Sequence, residues 1–549
     1  MRVVPRANEA INETWISDRD RFGYTGIYSE ERLQKPMIKK NGVWQEVDWE
    51  VALEASVKIL KTISEEESGD QIGVLASPSA TLEELYLLRK VADEFATRNI
   101  DHRINQHDFS DDDDFPAWPW IGARISDLEH IDAGLLIGSN IRKEVPIIGH
   151  RIRKAALRGA DVMFINPGRF EHLFPVSEYI NADVAGMLNQ IAALLKAVAV
   201  HAGKQVPKHL QKITGEATPD EAMKNMAAKL VNGKKTIVLL GLLAEAHPAS
   251  ADIRILAAAI ADIANAAIGY LSSGANSAGA WLTGAVPHRD IGGKPSAEKG
   301  LNAKDMLAKK RRAYFLLGVE PHIDCWDAAV ASEAMKNADV IALSPFVSES
   351  IKEYADVLLP IGTWGETGGT FINAEGERQS FQGAANPVGE ARPAWKVLRV
   401  FGNLLGIDGF DYMSVEEVAN EAVDAIGEIK PNSSLRGERE VKPLPVESGF
   451  MRCGDTALYG ADMLVRRAVP LQNSADAKLA STARLSPADA KKLGVSSSDK
   501  VVIKQNGSSV TLPVSIDEGI VAGSVWLSSG VVATAGLGPK FGSITVEKA

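Results

Sequence analysis

Seven short apolar runs separated by helix-length segments constrain this chain more than any other feature. The runs are Ile72–Ala76, Ala133–Ile137, Val162–Ile165, Thr236–Leu240, Tyr314–Leu317, Val340–Leu343 and Val357–Leu359. Short runs without polar alternation read as strands buried on both faces. Helix signals fill the gaps. Thr81-Leu-Glu-Glu84 has capping-box spacing for a helix to about Arg98. Pro146 opens a helix that stops at Gly159, an alanine-rich helix spans about Ala249 to Ala267, and another runs from Asp327 to Lys336. Such alternation predicts an α/β fold, with parallel sheets flanked by helices.

At 549 residues the chain exceeds what one hydrophobic core serves, so several domains are expected. Residues 1–50 read as a small β-rich segment with a turn at Asn41-Gly42, and an α/β body follows over 51–430, with inner boundaries near 180 and 345. Pro431, Asn432, Ser433, Ser434, Pro443 and Pro445 lie amid charges and read as an exposed connection over 431–470. In 471–549, Lys500–Gln505, Ser509–Val514 and Ser524–Leu527 are split by Asn506-Gly507 and Gly519, the pattern of a small β-barrel domain.

A net charge of -11 excludes the basic footprint of a general nucleic-acid binder. Cys325 and Cys453 are the only cysteines, which suits a reducing cytoplasm and is too few for a cluster held by four thiolates. The apolar segment Ile253–Leu271 contains Arg254, Asp262 and Asn265, so it reads as a helix buried in protein; membrane attachment would come only through partners. There is no Walker loop, G-x-S-x-G elbow or H-E-x-x-H motif.

The run Ala355-Asp-Val-Leu-Leu-Pro360 ends in a proline that cannot continue a ladder, and Gly362, Gly365, Gly368 and Gly369 follow. Glycines there leave amide groups open to a ligand at the carboxyl end of a strand. This strand, then Glu366-Thr-Gly-Gly-Thr-Phe-Ile-Asn373 and Gly376-Glu-Arg-Gln379, resembles the signature of the molybdopterin oxidoreductase family. Asn8–Asp18, Gly274–Gly279, Leu316–Pro321, Gly389–Leu398 and Asp462–Arg467 are similar to one branch of it, the large iron-sulfur subunit of bacterial NADH-quinone oxidoreductase, respiratory complex I.

The resemblance implies a molybdopterin-oxidoreductase-like body ending in a barrel. It further implies a place in the peripheral arm of a complex that passes electrons from NADH to quinone, beside other peripheral-arm subunits. The amino-terminal cluster domains of that branch are missing here, through a split gene, a misassigned start or a fragment. Iron-sulfur clusters and FMN are accordingly expected in that missing part and in partner subunits, and no cofactor in this chain. Ser17 stands close to where cluster-bearing relatives place a cysteine. The expected role is a non-catalytic scaffold; the alternative is a free-standing molybdenum or tungsten bis-pterin-dinucleotide oxidoreductase.

No residue is assigned a catalytic, cofactor-binding or metal-ligating role. Glu366, Glu375 and Glu377 would crowd a pyrophosphate, with only Arg378 opposing them. Asp111–Asp114 reads as a solvated acidic loop facing a basic partner, with a hard divalent ion as the other option. His102, His107 and Asp108 match no ligand spacing. The basic helix His150–Arg158 reads as a solvated face or a dock for an acidic subunit, and Gly138-Ser-Asn140 lacks the dinucleotide fingerprint.

Overall fold

The computed structural model describes residues 2–445 and 449–549. Two sheets and a barrel organise them. The first sheet has seven strands in the order Val43–Glu46, Met37–Lys40, Val357–Pro360, Asp339–Ser344, Ala313–Leu317, Ile72–Ala76 and Ile100–Asp101. Met37–Lys40 pairs antiparallel with both its neighbours, and the other pairings are parallel. The second sheet is wholly parallel, in the order Glu178–Asn181, Asp161–Asn166, Ala133–Ile137, Thr236–Leu240 and Ala267–Tyr270.

All five residues of Ile72–Ala76, Ala133–Ile137, Thr236–Leu240 and Ala313–Leu317 are buried, as strands covered on both faces by helices require. Pro360 is the last rung of its strand, opposite Ser344. The Thr81 capping box forms, but its helix ends at Glu94 because Ala96 turns left-handed and the Thr97 amide returns to Ala92 O. The alanine-rich helix likewise stops at Ala264, where Asn265 adopts φ +56°.

Behind the second sheet, Gly186–Ala202 and Glu221–Asn232 pack beside Ser250–Ala264 in one apolar cluster. Six strands close the carboxyl-terminal barrel: Phe450–Cys453, Ser524–Trp526, Ala483–Leu485, Ser508–Ile516, Lys500–Gln505 and Gly542–Lys548. Part of the expected exposed connection lies against protein instead. Val441 is buried in the second sheet's cluster, Leu435 and Leu444 pack on it, and the Tyr270 hydroxyl donates to Ser433 O at 3.0 Å. Residues 446–448 of that connection lie outside the described residues.

Candidate functional site

The glycine-rich loop after Pro360 is satisfied from within. Arg32 donates to both Glu366 carboxylate oxygens, at 3.0 and 2.8 Å, and the two side chains are only 2% and 0% exposed. The second oxygen also accepts from the Thr363 amide. Further along, the Thr370 amide donates to Glu83 and the Ile372 amide to Asn276, at 2.9 and 2.8 Å. Glu375 accepts from the Ile125 amide at 2.6 Å. The Thr370 and Ile372 amides, in the loop expected to face a ligand, are taken by side chains of the same chain, and Glu366 meets a guanidinium rather than crowding a phosphate.

The acidic run is not a solvated loop. Arg254 clasps Asp111 with two bonds of 2.6 Å, both side chains buried. Arg103 clasps Asp112 at 2.6 and 3.1 Å and is itself held by both oxygens of Asp101. Burial pushes the Asp112 carboxyl up to about 6 against the pull of Arg103. Asp113, still exposed, pairs with Lys299 at 2.6 Å. The signal for these contacts was in the sequence: a lone arginine, Arg254, inside an alanine-rich helix has to be paired once buried.

The remaining candidates resolve into structural partners. One ring nitrogen of His102 lies 3.0 Å from Ala285 O and the other 3.1 Å from Ser277 Oγ, while His107 sits edge-on to Trp326. The basic helix spans Pro146–Leu157, and Arg151, Lys154 and Arg158 meet Glu129 while Arg151 and Lys154 also meet Glu13. It is not a bare face, since these cations already meet carboxylates of the same chain. Lys154 and Arg151 hold the Glu129 carboxyl down at about 2. Ser17 caps the helix Asp18–Gly23, and Cys325 and Cys453 are both buried and unbridged.

In the second sheet the strand order reverses beside Ala133–Ile137, the point where open α/β sheets bind ligands. Here the crevice is filled by backbone. A Cβ on Gly138, whose φ is +61°, would lie 2.4 Å from the Ala244 amide, and one on Gly241 would lie 2.3 Å from Ser139 Cβ. Glu144 sits behind this turn, bonded to Ser139 Oγ at 2.9 Å, and burial raises its carboxyl to about 7. Between the sheets remains a cavity of about 40 Å³, lined by Arg103, Arg254, Phe115, Glu245, Tyr270 and Trp281 among others.

Residues 32–403 match the family described as molybdopterin oxidoreductase. The chain belongs to that family. Residues 467–546 match the molydopterin dinucleotide binding domain, and residues 1–25 match the NADH-ubiquinone oxidoreductase NDSU1/NuoG-like 4Fe-4S domain. The F420-dependent formate dehydrogenase subunit alpha of Methanocaldococcus jannaschii is 27% identical over 76% of this chain and 69% of its own length. The NADH-ubiquinone oxidoreductase 75 kDa subunit of Reclinomonas americana is 25% identical over 76% of this chain, which spans about half, 55%, of that relative. Acetylene hydratase from Pelobacter acetylenicus shares the fold, with a TM-score of 0.70 over 96% of this chain and 89% of its own, at 13% identity.

The expectation of no cofactor in this chain is therefore corrected. The oxidoreductase and dinucleotide-binding matches point to a molybdopterin cofactor here. Lack of cysteine and excess of acid had argued otherwise, but the aspartates spend their charge on arginines within the chain. The inter-sheet cleft does not fit such a group as it stands. A cavity of about 40 Å³ holds a few waters, whereas small-molecule sites run to ~300–1,000 Å³. Among the described residues, no helix is long and apolar enough to cross a membrane.

Proposed function

We propose that this molybdopterin-oxidoreductase body works as a scaffold in the peripheral arm of an NADH-quinone oxidoreductase, supporting electron transfer from NADH to quinone in neighbouring subunits. The carrying observation is the pairing of two matches in one chain. A 4Fe-4S domain of the NADH-ubiquinone oxidoreductase type covers residues 1–25, directly ahead of the oxidoreductase body at 32–403. The likeness to the 75 kDa subunit supports the same reading. So does the amino-terminal segment, which is fastened to the body through Glu13 with Arg151 and Arg32 with Glu366, as a rigid spacer needs. In this role no residue of the chain performs catalysis, and the protein lies on the inner face of the cell membrane through its partners.

A second reading, a free-standing molybdenum or tungsten oxidoreductase, is favoured by the match to the formate dehydrogenase subunit and by the dinucleotide-binding domain. Affinity capture from membranes in mild detergent separates the two. The scaffold role requires flavin- and cluster-bearing proteins to co-purify. A chain that emerges alone, carries stoichiometric molybdenum or tungsten and reduces an acceptor unaided would establish the second reading.

A further inference from the structure

One surface cluster stands apart from the inter-sheet cavity, which none of its residues lines. Lys90, on the helix Leu82–Glu94, sends its ammonium among three rings, 5.6 Å from the centroid of Tyr86, 4.8 Å from that of Phe410 and 5.6 Å from that of Tyr412. All three walls are buried, and Phe410 packs directly on Gly402, where a Cβ would lie 2.0 Å from its ring. Glu421, on the helix Val415–Ile426, closes the base. Its carboxylate accepts from the Tyr86 and Tyr412 hydroxyls at 2.9 and 2.7 Å, and from Lys90 at 2.9 Å. Rings around a cation attract it through their negative faces, and aromatic cages hold methylated ammonium groups in this way.

The cage offers more than a bare lysine uses. An ammonium carries three N–H donors. Lys90 gives one to Glu421 and one to the Tyr412 hydroxyl, at 3.0 Å, and the third meets no acceptor among the described residues. Beside the nitrogen the wall is open. A Cβ on Gly409 would find only Lys90 Nζ within reach, at 4.0 Å, which leaves space for a methyl group there. The Lys90 side chain is 20% exposed and that of Glu421 41%, so the mouth of the cage reaches solvent. A methyl in place of the third N–H would lose no hydrogen bond and would gain contact with the rings.

We propose that Lys90 is a site of Nε-monomethylation and that the cage of Tyr86, Phe410 and Tyr412 holds the product. The reaction takes a separate transferase with a sulfonium methyl donor. Lys90 first gives one proton to solvent, and its lone pair then attacks the donor's methyl carbon. The N–C bond forms as the C–S bond breaks, and the electron pair of the broken bond returns to sulfur as a neutral thioether leaves. The product keeps its positive charge and two N–H groups, enough for Glu421 and Tyr412. A second methyl would remove one of those bonds, so the monomethyl form fits best. The inference does not rest on the scaffold role.

The test begins with the full chain purified from its own cells and cut by a protease that does not cleave at lysine. The peptide spanning Lys90 should be heavier than its unmodified sequence by one methylene, about 14 Da, with fragmentation placing the group on Lys90. An unmodified Lys90, or methyl groups only on other lysines, would overturn the proposal. The cage is tested on recombinant chain treated with isotope-labelled formaldehyde and a borane reductant, which methylate lysines. In a methyl NMR spectrum one signal should lie upfield of the other lysine methyls, displaced by the ring currents of the cage. It should be missing from Lys90→Arg, which keeps the charge. A Lys90 that resists the reagent, or whose methyl signal stays with those of other lysines, would be equally fatal.

Discussion

Replacing Arg32 by Met tests whether the glycine-rich loop is anchored from within. The substitution keeps most of the aliphatic stem over Phe346 but removes two charged bonds to Glu366 and those to Pro345 O and Ile27 O, each 3.1 Å. Glu366 would then be a buried carboxylate left with Thr363 alone. Stranding one member of a buried pair costs ~3–5 kcal/mol. With m near ~3 kcal/mol/M, the urea midpoint of the transition reporting the first sheet should fall by about 1–2 M. Glu366→Gln should cost a similar amount, and the double variant much less than the sum, giving a coupling of roughly 1–3 kcal/mol. Raising salt should not mimic the effect, since a buried pair is poorly screened. A midpoint shift worth under ~1 kcal/mol, or additive single effects, would refute the claim that this glutamate serves the fold.

Other consequences are equally accessible. Gly138→Ala combines a left-handed backbone with a contact 2.4 Å from the Ala244 amide, so it should destabilise the second sheet by at least ~2–3 kcal/mol in urea titration. Burial opposes the charge on Glu320, but Arg466 and Arg467 more than compensate and hold its carboxyl at about 2. Its folded value is depressed, so its contribution is complete above about pH 5 and is lost as pH falls toward 2; Glu320→Gln should flatten that acid limb in a pH series of unfolding midpoints. Glu144 is shifted the opposite way, to about 7, so stability drains as pH rises from about 4.5 to 7. Glu144→Gln should accordingly be more stable than the parent at pH 8, by roughly 1–3 kcal/mol, and gain little at pH 4.

The strands were legible because a strand buried on both faces announces itself in four or five consecutive apolar residues, as Ala133–Ile137 and Thr236–Leu240 do. The barrel was legible from its turns. Helix ends at Ala96 and Asn265 were not, because each is set by a single residue adopting positive φ within an otherwise helical pattern. The site was misread for a different reason. Asp111 and Arg254 are 143 positions apart, Glu13 and Arg151 138, and Arg32 and Glu366 334. A run of four aspartates reads as solvated when counter-charges such as Arg254 and Lys299 lie 143 and 186 positions away and the near one, Arg103, nine residues before Asp112, is not singled out; the basic helix reads as bare because Glu13 is as remote. That misreading also underlay the expectation of an empty cofactor site.

Native mass spectrometry of the chain released from its own membranes in mild detergent bears most directly on the account. It predicts an assembly whose mass includes flavin- and cluster-bearing subunits, with this chain dissociating from it as one intact body. A lone chain of 58.9 kDa plus the mass of a metal-loaded pterin dinucleotide, turning over an acceptor without partners, would contradict it.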